Sequence, residues 1–200
     1  SDVYKRQFHR ELKIESSVRR VQVKIGVTGH PGVGKTTLVE RVIEAVPLKC
    51  GGMITKEIRK IGRRVGFSIH DLLTGKEGVL AHIHLEQGPK LGRYRVNLRD
   101  LEEIGAAAIE RALVECELVV IDEVGPMELR SQRFIRAVER ALESEKHLLV
   151  TVHRASNHHL AYRIRHEVDH YFRLSASKRD EITSKVIELL RRYAELLGRG

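Results

Sequence analysis

The sequence predicts an α/β domain with a largely parallel central sheet and a hairpin-rich section at the edge of that sheet. Three observations predict it. A β-branched strand runs into a glycine-rich turn and then into an amphipathic helix. Short, wholly apolar strand candidates recur further along, separated by segments of helical period. Between the first helix and the next strand candidate, glycines break a run of β-like pieces. Buried apolar strands alternating with helices are the pattern of a parallel sheet covered on both faces.

The elements follow in order. Val21–Val27 (VQVKIGV) reads as a buried strand, and Thr28–Lys35 as the glycine-rich turn. Thr36–Val46 carries Leu38, Val39, Val42, Ile43 and Val46 on one helical face, and Pro47 ends the helix. From Gly51 to His82, pieces around Met53–Ile58 and Val65–His70 are interrupted by Gly62, Gly66, Gly75 and Gly78, as in a set of hairpins. Leu98–Glu115 returns to a helical period through Leu101, Ile104, Ala108 and Ala112. Leu118–Ile121 (LVVI) is a buried strand ending at Asp122 and Glu123. Arg133–Glu143 is an amphipathic helix, Leu148–Val152 a third strand ending at His153 and Arg154, and His170–Leu174 a fourth. Ser177–Leu197 reads as a long terminal helix, with Ser177 and Asp180 spaced as a capping box.

Composition bounds the classes. Two hundred residues suit one domain, expected over 18–200. Ser1–Gln7 (SDVYKRQ) reads as a sequence joined in frame to the domain, and residues 1–17 are expected to be a non-native or disordered extension. Cys50 and Cys116 are too few and too far apart for a disulfide framework or a zinc site, which fits a reducing cytoplasm. No apolar run reaches the ~20 residues that span a bilayer, so no membrane role is expected. The formal net charge of +9 attracts polyanions, either nucleotides or nucleic acid. Trp is absent, which argues against an aromatic platform for single strands, so any nucleic-acid binding is expected to be weak and electrostatic.

Gly29-His30-Pro31-Gly32-Val33-Gly34-Lys35-Thr36 fits G-x-x-x-x-G-K-[ST], and Thr37 continues it. Glycines let backbone N–H groups turn inward around phosphate oxygens, and the following helix aims its positive end at the same place. Lys35 is placed for the β- and γ-phosphates and Thr36 for Mg²⁺. Asp122, at a strand end, is the second expected Mg²⁺ ligand; Glu123 beside it is placed to take a proton from water. His153 is a candidate γ-phosphate sensor if its strand lies between the other two. Arg59, Arg63 and Arg64 include a candidate arginine finger, with Arg59 the first choice. His158, His159, His166 and His170 lack the spacing of a metal motif.

These motifs, GHPGVGKTTL, GGMITKEIR with GRRVGF and DLLTG, GRYRVNL, VVIDEVGPMEL and TVHR, together resemble the nucleoside-triphosphatases of the THEP type. The resemblance runs from about Lys24 to Arg179. It implies a three-layer RecA-like P-loop NTPase domain and Mg²⁺-dependent hydrolysis of several nucleoside triphosphates. It also implies two nucleotide-binding segments, Gly29–Thr36 and about Leu118–Gly125, the latter comprising Leu118, Val119, Val120, Ile121, Asp122, Glu123, Val124 and Gly125. Lys178-Arg179-Asp180 stands where the family tends to have Asn-Arg-Asp. A nucleotide or polynucleotide kinase and an RNA-associated switch remain as alternatives, the first separable by phosphate release without an acceptor, the second by stimulation with RNA.

Overall fold

A computed structural model describes residues 22–197. The expectation for residues 1–17, and the start of the first strand at Val21, lie outside them. The chain forms β1 (Lys24–Gly29), α1 (Lys35–Ala45), β2 (Cys50–Lys60), β3 (Arg63–Asp71), β4 (Glu77–His82), β5 (Lys90–Leu91) and β6 (Tyr94–Val96). A helical stretch follows: one turn at Leu98–Asp100, a wider π-helical segment at Leu101–Ala106, then α2 (Ala107–Glu115). Next come β7 (Leu118–Val124), α3 (Gln132–Glu143), β8 (His147–His153), α4 (His159–Glu167), β9 (His170–Leu174) and α5 (Arg179–Leu197).

Among the described residues, the nine strands join one sheet in the order β5-β6-β4-β3-β2-β7-β8-β1-β9. The run β2-β7-β8-β1-β9 is parallel, and β3, β4, β6 and β5 extend it antiparallel. The hairpin-rich section is therefore part of the main sheet. Its first strand, β2, belongs to both halves: it runs parallel to β7 over Cys50–Ile54 and pairs with β3 over Met53–Lys60.

Alternation in the buried strands builds the two outer layers. Val119, Ile121, Leu148 and Val150 point to one face, against Ala108, Ala112, Phe134, Val138 and Leu160 of α2, α3 and α4. Leu118, Val120, Leu149, Ile25 and Val27 point to the other, against Leu38 and Val42 of α1 and Val186 and Leu190 of α5. Helices cover both faces, which gives three layers.

Local chemistry sets several ends. Val46 is extended, as the residue before a proline prefers, so α1 stops at Ala45. Ser131 caps α3 by accepting from Phe134 N–H at 3.1 Å. Gly105 sits in the π-helical segment where an added Cβ would lie 2.6 Å from Ile69 Cδ1, so that segment packs closely on β3. Two details differ from the sequence reading. The helix α4 occupies a stretch that the sequence marks only by a loose histidine group, its apolar face reduced to Leu160, Ala161 and Ile164. The terminal helix opens at Arg179, so Lys178 rather than Ser177 precedes it, and the Asp180 side chain accepts from Arg41 at 3.0 Å.

Candidate active site

Because β1, β7 and β8 are parallel and adjacent in the order β7-β8-β1, their C-terminal ends meet at one edge of the sheet. Gly29 ends β1 directly beside His153, which ends β8. The loop Gly29–Gly34 leaves this edge and turns into α1. Gly34 carries a φ of 106° and Gly32 a φ of 77°, conformations that side chains rarely adopt. With them the loop can curl and present the first turn of α1 to the space above the strand ends.

Lys35 folds back over the loop. Its Nζ donates to the Gly29 carbonyl at 2.8 Å and the His30 carbonyl at 3.3 Å, and lies 3.5 Å from Glu123 Oε2. Thr36 Oγ1 donates to Asp122 Oδ2 at 2.7 Å. Thr151 of β8 donates to the other oxygen, Oδ1, at 2.6 Å. Asp122 is thus fixed through both oxygens from two neighbouring elements. Burial raises its pKa to about 6, while the two threonine hydroxyls and Lys35 oppose that shift. The β7–β8 register shifts between Ile121 and Val124, and the Asp122–Glu123 peptide is cis.

Beyond the acidic pair, the chain doubles back. Gly125 N–H donates to Glu128 Oε2 at 3.1 Å. A Cβ placed on Gly125 would lie 3.2 Å from Glu128 Oε2, 3.3 Å from Glu123 Oε1 and 3.5 Å from His153 Cβ, so these three side chains surround one point. Glu128 is buried, which with the nearby Glu123 charge pushes its pKa up to about 8.

A cavity of about 640 Å³ opens over this edge, lined by Gly32, Gly34, Lys35, Thr36, Thr37, Asp122, Glu123, Glu128 and His153 among others. Most of the remaining members of the expected site lie around it rather than in it. Leu118, Val119, Val120, Ile121 and Val124 are fully buried in the two cores and carry the acidic pair to the edge. Val33 packs against the core behind the loop. Pro31 lines the cavity, and His30 is exposed beside it, its ring nitrogen paired with Arg154 at 2.5 Å.

Arg59 departs from the finger expectation. Its guanidinium lies 2.8 Å from Glu57 and donates to the Gly62 carbonyl at 3.2 Å, which ties it to the β2–β3 hairpin tip; Arg64 is the arginine that lines the cavity. Sequence reasoning gave no role to Thr151, Glu128, Arg154 or Arg179. Thr151 was detectable as a polar residue inside the apolar run LLVTV. Arg179 lays its side chain across Gly34, its Cδ 2.7 Å from where a Cβ would stand; that contact joins residues too distant in sequence to be read from it.

Hard oxygen donors suit Mg²⁺, which commonly takes one or two protein ligands and completes its shell with phosphate and water. Thr36 and Asp122 supply two such oxygens 2.7 Å apart, beside the phosphate loop, and so fit the ion.

The family model described as NTPase matches residues 24–187. That span holds every residue of the site described above. The chain belongs to the NTPase family. It is similar to nucleoside-triphosphatase THEP1 of Methanosarcina acetivorans, 51% identical over 180 residues that cover 88% of this chain and 99% of that protein. The THEP1 of Thermococcus kodakarensis is 52% identical over 139 residues, 66% of this chain and 77% of that one. Among solved structures, THEP1 of Aquifex aeolicus superposes with a TM-score of 0.76 at 31% identity, covering 84% of this chain and 99% of that one. A human cancer-related nucleoside triphosphatase superposes with a TM-score of 0.70 at 30% identity, covering 85% and 98%. This member of the nucleoside-triphosphatase family keeps the three-layer fold of both. Among the described residues, no helix is long and apolar enough to cross a membrane.

Proposed function

We propose that the protein hydrolyses nucleoside triphosphates, ATP and GTP among them, to diphosphate and phosphate with Mg²⁺. The observation that carries this reading is the convergence of Lys35, Thr36, Asp122 and Glu123 on one cavity. Thr36 lies 2.7 Å from Asp122 and Lys35 3.5 Å from Glu123, and all four line the same space.

The loop N–H groups and the α1 N-terminus hold the phosphates. Lys35 places its charge where the β- and γ-phosphates meet and where negative charge grows during transfer. Thr36 and Asp122 would hold Mg²⁺, which neutralises phosphate oxygens when bound. Glu123 accepts a proton from the attacking water, whose oxygen forms the new bond to the γ-phosphorus. The bridging oxygen departs with the diphosphate. His153, next to Glu123 across Gly125, is the proposed sensor of the γ-phosphate. Arg59, held at the hairpin tip, has no part in this scheme.

Every triphosphate shares the groups that these residues recognise. No Asn-Lys-x-Asp element reads guanine; Lys178-Arg179-Asp180 is the nearest fragment. Discrimination beyond ~100-fold needs ~3 kcal/mol from contacts to base edges. Phosphate release from ATP, GTP, CTP and UTP, without any added acceptor, tests the reading. Turnover of all four within ~100-fold of one another, dependent on Mg²⁺, is the expected outcome. Strict selection of one base, or no release, would contradict it.

A further inference from the structure

The cavity extends beyond the residues proposed to face the phosphates and the attacking water. From the phosphate loop the space continues past Glu123 to the antiparallel half of the sheet. There it meets Phe67 of β3, Leu80 of β4, Leu91 of β5 and Met127, with Glu57 and Arg64 at the rim.

This far end is shaped by two irregularities in the sheet. Gly66 pairs with Ile58 but Arg64 pairs with Arg59, so β3 carries one extra residue, Val65. An extra residue shifts the alternation by one, and Arg64 comes to the same face as Phe67, three positions away. On the other side, Phe67 pairs with Ala81 and Ser68 with Val79, leaving Leu80 as the extra residue of β4. The Arg64 guanidinium carbon lies 5.2 Å from the Phe67 ring centre, and Tyr94 meets Phe67 edge-on at 5.5 Å. Arg64 is held there by Tyr94 Oη at 3.0 Å and Glu57 at 3.3 Å. The guanidinium lies over the Phe67 ring and Tyr94 meets it edge-on, so the stacking surface offered to a planar π-system is the part of this half-buried ring that lines the cavity. Glu57 beside it can accept from hydroxyl groups.

The triphosphate's own nucleoside leaves in the other direction. On the hydrolase reading, on which this step rests, the γ-phosphate lies at the Glu123 side. The α-phosphate end then lies toward Gly34, where Arg179 crosses the loop on the β9 side of β1. The Phe67 compartment is on the β2 side.

We propose that this compartment binds a second ligand, a nucleoside, stacked on Phe67 with a hydroxyl directed at the γ-phosphate as an alternative acceptor to water. The hydroxyl oxygen bonds to the γ-phosphorus, its proton passes to Glu123, and the bridging oxygen leaves with the nucleoside diphosphate. The products are the diphosphate and a phosphorylated nucleoside, and hydrolysis is the same reaction with water in the compartment.

The test uses the full chain with γ-labelled ATP and Mg²⁺, with and without adenosine, guanosine, cytidine or uridine at about 1 mM. Label is followed into free phosphate and into nucleoside monophosphate. Phe67→Leu keeps the apolar filling but removes the ring, and thermal melting checks that it folds. The expected result is labelled monophosphate from at least one nucleoside with the parent. In Phe67→Leu that product falls by ~10-fold or more, while phosphate release without nucleoside continues at the parent rate. Phosphate release with no labelled monophosphate from any of the four would overturn the proposal and leave the hydrolase reading intact. A raised KM for ATP in Phe67→Leu without nucleoside would also overturn it, by assigning the ring to the substrate's own base. Monophosphate formation without phosphate release would instead sink the hydrolase reading and keep the compartment.

Discussion

Asp122 and Glu128 are carboxyls of one cavity with different tasks. Asp122 is braced by Thr36 and Thr151 and can stay ionised for a cation. Glu128, buried and near the Glu123 charge, keeps its proton to about pH 8. An unfolded Glu releases its proton near its ordinary value of 4.5. Between those values the native state holds a proton that the unfolded chain has lost, so this group's contribution to stability falls as pH rises and is gone above about 8. Glu128→Gln keeps an oxygen for the Gly125 N–H and cannot ionise. Its melting temperature relative to the parent should therefore climb from about pH 5 to about pH 9; a difference that stays flat would contradict the assignment. Lys35 has a simpler signature. It faces both the ground-state phosphates and the developing charge, so Lys35→Ala should weaken nucleotide affinity and kcat together. Calorimetry with a non-hydrolysable analogue, beside turnover, checks this; loss of turnover at unchanged affinity would contradict it.

At the scale of elements, β1 is anchored at its start as firmly as it is used at its end. Lys24 is buried, and its Nζ donates to the carbonyls of Ala141, Ser144 and Lys146 at 2.6–2.9 Å, closing the C-terminus of α3 and the turn into β8. Burial pulls its pKa down to about 8, which leaves it charged at neutral pH. Lys24→Met should leave those carbonyls short of a donor and cost about 2–4 kcal/mol in chemical denaturation, with little change in nucleotide affinity; an unchanged midpoint would contradict it. The sequence displayed Val21–Val27 as a strand but not the use of Lys24, because its acceptors lie more than a hundred positions away. The same holds for β2 and β3. Their glycines announced hairpins, and Gly62 does sit in the turn between them. The bulge at Val65 that brings Arg64 to the Phe67 face, and the second at Leu80, depend on partner register, which local pattern does not encode. The helix α4 went unread because its charged and histidine residues leave only three buried side chains to mark a period.

On the scale of the whole molecule, the centre of the parallel half was legible from the apolar runs Leu118–Ile121 and Leu148–Val152, since both faces of these strands are covered. The placement of Gly29–Thr36 at a strand-to-helix turn and of Asp122 and Glu123 near a strand end was legible too. What was not legible is the cavity's extent: β3, β4 and β5 contribute its far wall through side chains scattered from Arg64 to Leu91. The net charge of +9 does not distinguish partners; the proposed function rests instead on the cavity, with Gly32–Thr37 at one end and Phe67 at the other. On the proposed function, the cavity that receives the phosphates is also the place of hydrolysis, with Glu123 as the proton acceptor. Glu123→Gln preserves size and removes the base. Single-turnover hydrolysis of ATP by this variant, beside its affinity for a non-hydrolysable analogue, is the most direct measurement. The expected result is near-parent affinity with a rate lower by ~100-fold or more; hydrolysis at the parent rate would contradict the account.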